Sequence, residues 1–241
     1  MFQAKNPVLR VGVYGRDVGV PGRMVGMWPS GYRGALDASG AEPVFLERAA
    51  GDEPWSEILD GLAGVIYCGF GPAAAEDSEG DGESLCLWCQ RNRFPLLAID
   101  HGLLVMNAAF GGLNFANLVK EMPEALQHRH PPEHGLRHAI NVLPGTLLCN
   151  LYGEGEIVVN SEHRQAVQRV ANGFQICGTA LDGVIEAIES KDPEWFAMGV
   201  QWQPASASAS GLDIQVFRGL VESAQIKPMA KQKPQKLAMA V

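Results

Sequence analysis

The chain has 241 residues, 46% of them hydrophobic and 19% charged, which is enough apolar material for one large core or two small ones. A net charge of −8 and a pI of about 5.2 argue against a general nucleic-acid surface, because phosphate binding needs clustered Lys and Arg. No apolar run reaches the roughly 18 residues of a membrane span, and Met1–Arg10 lacks the apolar core of a signal peptide, so the expectation is a soluble cytoplasmic protein without a membrane partner.

Short β-rich runs alternate with helix-length segments, the pattern of a parallel sheet covered on both faces. Val8–Tyr14 predicts a buried first strand, followed by a Gly/Pro-rich loop over Gly15–Pro29 and a helical stretch through Tyr32–Ser39. Glu42–Glu47 predicts a second strand, Pro54–Asp60 a short helix, and Ala63–Gly69 a third strand running into a Gly-rich turn. Gly71–Gly82 reads as an acidic mobile loop. The segment SLCLWCQRN then carries Cys86 and Cys89 in a C-x-x-C, and helical spacing puts Leu85, Cys86, Cys89 and Gln90 on one face. Zinc would need a second ligand pair and no other C-x-x-C exists, so these cysteines read as small buried hydrophobes. With Cys68, Cys149 and Cys177 the count is five, an odd number that points to free thiols in a reducing compartment.

Phe94–Asp100 predicts a fourth strand that breaks sharply into a helix capped by Gly111 and Gly112. Leu113–Pro132 reads as irregular. His138–Pro144 and Glu156–Asn160 predict strands, and Glu162–Val170 predicts a helix with Ser161 as its N-cap and Glu162 in the capping turn. FQICGTAL and VIEAIES predict an antiparallel pair around Asp182–Gly183. Ala197–Pro204 predicts a late buried strand with Trp202 in the core, and Leu212–Ala224 a closing helix. Ile226–Val241 has four lysines spaced among prolines and no periodicity, so it reads as a flexible solvated tail. The expected organisation is one domain over 1–225 and a Lys/Pro-rich tail over 226–241.

An apolar strand ending in one polar residue, followed at once by x-Gly and an apolar helix, is a nucleophile-elbow arrangement. Its apex here is Asp100; the plainer reading is a strand-end Asp that caps the next helix. Three further segments add specificity: VVNSEHRQAV (Val158–Val167), DGVIEAIE (Asp182–Glu189) and GVQWQPA (Gly199–Ala205). In order and spacing, from Val8 to Ala224, the chain resembles the class I glutamine amidotransferase-like family that includes the γ-glutamyl hydrolases (γ-glutamyl-GABA hydrolase-type peptidases). That resemblance implies an α/β, flavodoxin-like three-layer sandwich with a mostly parallel central sheet and a small antiparallel extension. It also implies a Cys–His–Glu triad, and there the sequence departs. Asp100 stands where the family has its nucleophilic Cys, Gln203 where it has the general-base His, and Ala205 where it has the orienting Glu.

A thiolate attacks the γ-amide, an imidazole carries the proton and a carboxylate fixes the imidazole tautomer. Gln203 cannot titrate and Ala205 cannot orient anything, so no catalytic residue is expected intact. CGFG (Cys68–Gly71) matches the family's oxyanion loop, with Gly69 as one N–H donor, Gly102 as the other, and Phe70 departing from the family's Gly-Gly. The Asp100 carboxylate is expected to accept hydrogen bonds from those N–H groups. Gly69, Phe70, Asp100, His101, Gly102, Glu162 and His163 are the candidate binding residues, His163 because it matches a position near the family's pocket.

His128, His130, His134 and His138 crowd into QHRHPPEHGLRH, which invites a zinc reading. The segment has two prolines and no regular helical face, so neither metal nor cofactor is assigned. The functional expectation is a non-catalytic binding, regulatory or structural subunit, with a small-molecule ligand in the vestigial pocket. A partner enzyme or paralogue, or a second copy in a homodimer, completes the expected partners. The rival is a hydrolase of altered chemistry using Asp100 with His101 or His163, and a third reading relocates the nucleophile to Cys68.

Overall fold

Alternation of side chains along the parallel strands decides the layering. The computed structural model describes residues 8–15, 30–46, 54–69, 79–129 and 136–226; Phe70, His130, His134, the loop over 16–29, most of the acidic loop and the tail beyond 226 lie outside these residues. β1 (Leu9–Tyr14), β2 (Ala41–Phe45), β3 (Gly64–Gly69) and β4 (Leu96–Asp100) pair in parallel. On β4, Leu97 and Ile99 enter one buried cluster while Leu96 and Ala98 enter the other, as a period of two demands. Both faces are therefore covered, which is why these strands read as near-continuous apolar runs.

One face carries α1 (Ser30–Ala38) and α7 (Ile214–Ile226), whose Tyr32 and Phe217 meet edge-on at 6.1 Å within the first cluster. The other carries α2 (Trp55–Ile58), α3 (Glu79–Asn92) and α4 (His101–Ala109), which bring Trp55, Leu85, Leu103 and Met106 to the second cluster. Cys86 and Cys89 are fully buried there and unbridged, and burial pushes both thiols well above their ordinary range. They pack, as expected. Gln90, assigned to the same face, is instead exposed, and α3 begins at Glu79 within the stretch read as loop.

The strands of the described residues make one eleven-stranded sheet in the order β2-β1-β3-β4-β11-β10-β9-β6-β7, with β8 on β10 and β5 on β8. It is parallel through β11 (Ala197–Val200) and turns antiparallel at β10 (Ile185–Ser190) and β9 (Phe174–Ala180). β6 (Arg137–Val142) and β7 (Gly155–Asn160) continue it. The three-layer α/β sandwich holds, while the antiparallel portion, six strands with β5 (Leu113–Phe115) and β8 (Ala166–Arg169), is larger than the small extension expected.

β8 replaces the helix expected over Glu162–Val170. Asn107, fully buried on α4, donates to the Arg169 carbonyl at 3.1 Å and accepts from Ala171 N–H at 2.8 Å. Val167 pairs with both Asn114 and Ile185. Those partners outweigh the favourable helix propensities of Gln, Ala and Arg, which amount to only a few tenths of a kcal/mol per residue. Ser161 is accordingly no N-cap: its hydroxyl donates to the His128 carbonyl at 2.9 Å, and Glu162 lies exposed in the loop.

The irregular stretch after α4 holds β5 and α5 (Leu118–Glu121), and the unexpected α6 (Leu147–Tyr152) follows β6. Thr146 caps α6 by accepting from Cys149 N–H. The buried Glu189 carboxylate receives Leu147 N–H at 2.8 Å and Leu148 N–H at 3.0 Å. So short a helix is held by these caps rather than by its own sequence.

Candidate functional site

β4 stops at Asp100, whose φ of 53° and ψ of −113° turn the chain directly into α4. A non-glycine residue held there costs about 1–3 kcal/mol, a strain that persists where a tight strand-to-helix elbow requires it. Gly102 lets the first turn of α4 lie against β3, since a Cβ at that position would sit 2.2 Å from the Tyr67 carbonyl oxygen. The elbow legible in the sequence is therefore formed.

Asp100 and Gln203 are brought together. Gln203 Nε2 donates to Asp100 Oδ2 at 2.9 Å, and Gln201 Nε2 donates to Oδ1 at 2.9 Å. Asn160, buried at the end of β7, holds residue 203 in place: its Oδ1 accepts from Gln203 N–H at 2.9 Å and its Nδ2 donates to the Gln203 carbonyl at 3.0 Å. Ala205 is buried, with its carbonyl packed against Gly31 of α1. Gly69 lies beside Asp100 in the β3–β4 ladder.

The Asp100 side chain caps no N–H of α4, so the bond expected from Gly102 N–H to the carboxylate is not made. The elbow carries the side chain toward the end of β11, where alternation puts both glutamine amides on one side, and they occupy both oxygens. Gln201 and Asn160 were missed from the sequence, although the Gln201–Gln203 spacing of two was a usable signal.

Burial pushes the Asp100 carboxyl up to about 6; nearby His163 and the bonds from Gln203 and Gln201 hold it down, while Glu186 adds to the rise. A folded pKa above the unfolded value means that the folded state binds more protons between about pH 4 and 6. This group's contribution to stability therefore falls as pH rises through that window. Asp100→Asn, paired with the glutamines through their otherwise unpartnered Oε1 atoms, is expected to remove that slope. It should also raise stability at pH 8 by about 1–3 kcal/mol. Denaturant unfolding of both proteins from pH 4 to 8 checks this, and an unchanged slope would contradict it.

The other candidates lie elsewhere. His101 lines a small open cleft with Glu83, Leu104, Val105 and Gln165, and neither Asp100 nor Gln203 is part of that lining. Cys68 is buried, and its thiol lies 3.6 Å from the Tyr14 carbonyl. His163 is buried in a second cluster with His128, His138 and Glu186. Its Nε2 lies 3.2 Å from Glu186 Oε1 and its Nδ1 2.9 Å from the Gln165 carbonyl.

Glu186 is fully buried, yet His163, His128 and His138 outweigh the effect of burial and hold its carboxyl well below the ordinary range. Burial would lower the pKa of His128; Glu186 and Asp182 reverse that and raise it. Of the four histidines crowded in the sequence, His128 and His138 belong to this cluster. The cluster adjoins the elbow, because the Glu186 carbonyl accepts from the backbone N–H of Gln201 at 2.8 Å.

A strained elbow at the end of a parallel strand, inside this three-layer sheet, defines a class I glutamine amidotransferase-like α/β fold. A Thermoplasma acidophilum protein described as a candidate component of GMP synthase shares it with a TM-score of 0.67, covering 92% of this chain and 96% of that one at 16% identity. The glutaminase domain of Trypanosoma brucei CTPS with bound acivicin does so with a TM-score of 0.64 at 14% identity, over 92% and 96% of the two chains. At those identities the likeness establishes the fold alone.

Residues 83–205 match the model of the peptidase C26 family, and the chain belongs to that family. A Mycobacterium tuberculosis protein named as a candidate glutamine amidotransferase is 29% identical over 242 residues, 92% of this chain and 76% of that protein. A glutamine amidotransferase-like protein of Rickettsia prowazekii is 35% identical over 102 residues, 42% of this chain. A Synechococcus CTP synthase is 27% identical over 194 residues, 70% of this chain. The matches span only 36% and 34% of the last two relatives. Among the described residues no helix is long and apolar enough to cross a membrane.

Proposed function

We propose that this chain is a catalytically degenerate glutamine amidotransferase-like protein of the γ-glutamyl hydrolase type, with a non-catalytic binding, regulatory or structural role in a larger assembly. The observation that carries the reading is the Asp100 carboxylate held at the elbow by two glutamine amides. A carboxylate that attacks an amide gives a tetrahedral intermediate from which the carboxylate leaves far more readily than the amine, so the intermediate collapses backwards. Gln203, in the position the resemblance gives to the base, has no proton to exchange. The elbow is kept as a shape, suited to a small-molecule ligand, while a partner enzyme or paralogue supplies any chemistry. A homodimer and a cytoplasmic location complete the proposal.

The rival, acid–base chemistry on a different bond, draws support from a carboxyl pushed up to about 6, a useful value for a general base. It is weakened at His163, where both ring nitrogens are engaged inside the protein. The test is release of ammonia from glutamine and of glutamate from γ-glutamyl amides by the purified wild type. No turnover is expected, with or without thiol alkylation. Turnover abolished by alkylation would move the nucleophile to a cysteine, and turnover lost only in Asp100→Ala would establish the rival.

A further inference from the structure

We propose that His128, His138, His163 and Glu186 form a buried binding site for one divalent transition-metal ion of the zinc type, closed by four protein ligands. The inference is independent of the reading of the elbow. His128 Nδ1, His163 Nε2 and His138 Nε2 lie 3.1, 3.2 and 3.4 Å from Glu186 Oε1. His128 Nδ1 and His163 Nε2 are 3.2 Å apart, and all four ligand atoms lie within 4.8 Å of one another. Ligands at about 2.0–2.2 Å from a tetrahedral zinc ion are separated by roughly 3.3–3.6 Å, so these four edges lie within a few tenths of an ångström of the required length.

The directions of the side chains carry the argument further. Neither oxygen of Glu186 accepts a hydrogen bond of acceptable geometry, and His138 Nε2 has no hydrogen-bond partner, although all are buried. His128 Nδ1 and His163 Nε2 have hydrogen-bond geometry toward one another, but Glu186 Oε1 and His138 Nε2, just as close, are aimed at no donor or acceptor, so the four atoms converge on a shared point. Each imidazole is also held from behind. His128 Nε2 is 2.9 Å from Asp182 Oδ2, His163 Nδ1 2.9 Å from the Gln165 carbonyl, and His138 Nδ1 3.2 Å from the Ala139 carbonyl.

Those oxygens accept protons in hydrogen bonds, so the outward nitrogens carry the N–H and the inward ones present lone pairs. This is the second shell that metal-bound histidines ordinarily have. Three lone pairs and a carboxylate facing one another at a buried point are satisfied together by a cation between them. A single proton would line up with one pair of atoms, whereas a metal ion satisfies all four at once.

The donor set limits the ion. Three imidazoles and one carboxylate suit zinc and its transition-metal neighbours, whereas magnesium and calcium prefer all-oxygen shells. Four protein ligands leave no open position, so the ion's role is structural. It would fasten the segment before β6, β6 itself, the loop after β7 and β10, beside the strand end that presents Gln201 to Asp100.

The test uses the full chain purified without chelator. Elemental analysis is expected to find about one zinc per chain. After stripping, Co²⁺ should bind to saturation at about one equivalent with the intense visible bands of tetrahedral cobalt, and added zinc should displace it. Glu186→Gln and His163→Ala are each expected to weaken binding at least ~100-fold, whereas a His130→Ala/His134→Ala double variant keeps it. Should the first two variants fail to fold, wild-type stoichiometry and the cobalt spectrum decide. A wild type that takes up no metal, gives octahedral cobalt bands, or loses its metal in the double variant overturns the proposal.

Discussion

Restoring Cys at 100, His at 203 and Glu at 205 together should raise glutaminase turnover at least ~10³-fold over the wild type. A complete nucleophile–base–orienter set is worth roughly 10⁶ in kcat, of which an unoptimised graft recovers a part. The reasons to expect recovery are geometric. Asp100 retains the strained elbow conformation that exposes a nucleophile. Gln203 Nε2 already lies 2.9 Å from the residue-100 side chain, and an imidazole at 203 has similar reach. Asn160 clamps the residue-203 backbone from both sides, so the strand end need not be rebuilt. Gln201 Nε2 remains as a donor beside the new thiolate and favours its ionised form.

The single variant Asp100→Cys is expected to stay near background, because without an imidazole a thiol of ordinary pKa is mostly protonated at pH 7. Steady-state ammonia release by the two variants and the wild type reads all of this. A folded but silent triple variant would show that the elbow is no longer a glutaminase pocket, and the reading of lost chemistry in a surviving frame would fail.

The parallel half of the fold was legible because buried parallel strands are apolar on both faces, and β1, β3 and β4 announce themselves as runs. The elbow was legible for a local reason, a polar residue between an apolar strand and x-Gly. What misled was segment 162–170, whose Gln, Ala and Arg carry a helical pattern that buried Asn107 overrides from 62 residues away. Separation along the chain also hid the cluster around Glu186. His163 in VNSEHRQ and Glu186 in DGVIEAIE both fall inside motif segments. Neither points to the other until β7 and β10 bring their ends together with His128 and His138. Proximity in sequence grouped His128 with His130 and His134, whereas proximity in space pairs it with a histidine 35 residues on. The two carboxylates of DGVIEAIE also part company: Glu189 caps α6, and Glu186 enters the cluster next to a bulge in the β9–β10 ladder.

Glu186→Ala should be among the most damaging single substitutions in the sheet, costing about 3–5 kcal/mol, as removal of one member of a buried charged cluster does. For a chain of this size that lowers the unfolding midpoint by roughly 6–20 °C. Glu186 has no exposed surface, and the three imidazoles around it are almost equally closed to water, with side-chain exposures of 2, 7 and 3% for His128, His138 and His163. Deleting the carboxylate leaves the inward ring nitrogens facing one another around the space it filled, closed off from bulk water. Asp182 still holds His128 through its outer nitrogen, at 2.9 Å, but it cannot reach the inner face.

Glu189→Ala is the internal comparison, because it removes a buried carboxylate from the same strand that receives two backbone N–H bonds and one amide rather than a set of imidazoles. Its expected cost is about 1–3 kcal/mol, that of unsatisfied donors rather than of an uncompensated cluster. Thermal and denaturant unfolding of the two variants at one pH separates the cases. Equal losses would mean that Glu186 contributes no more than an ordinary buried carboxylate, with no special role in holding the histidines together.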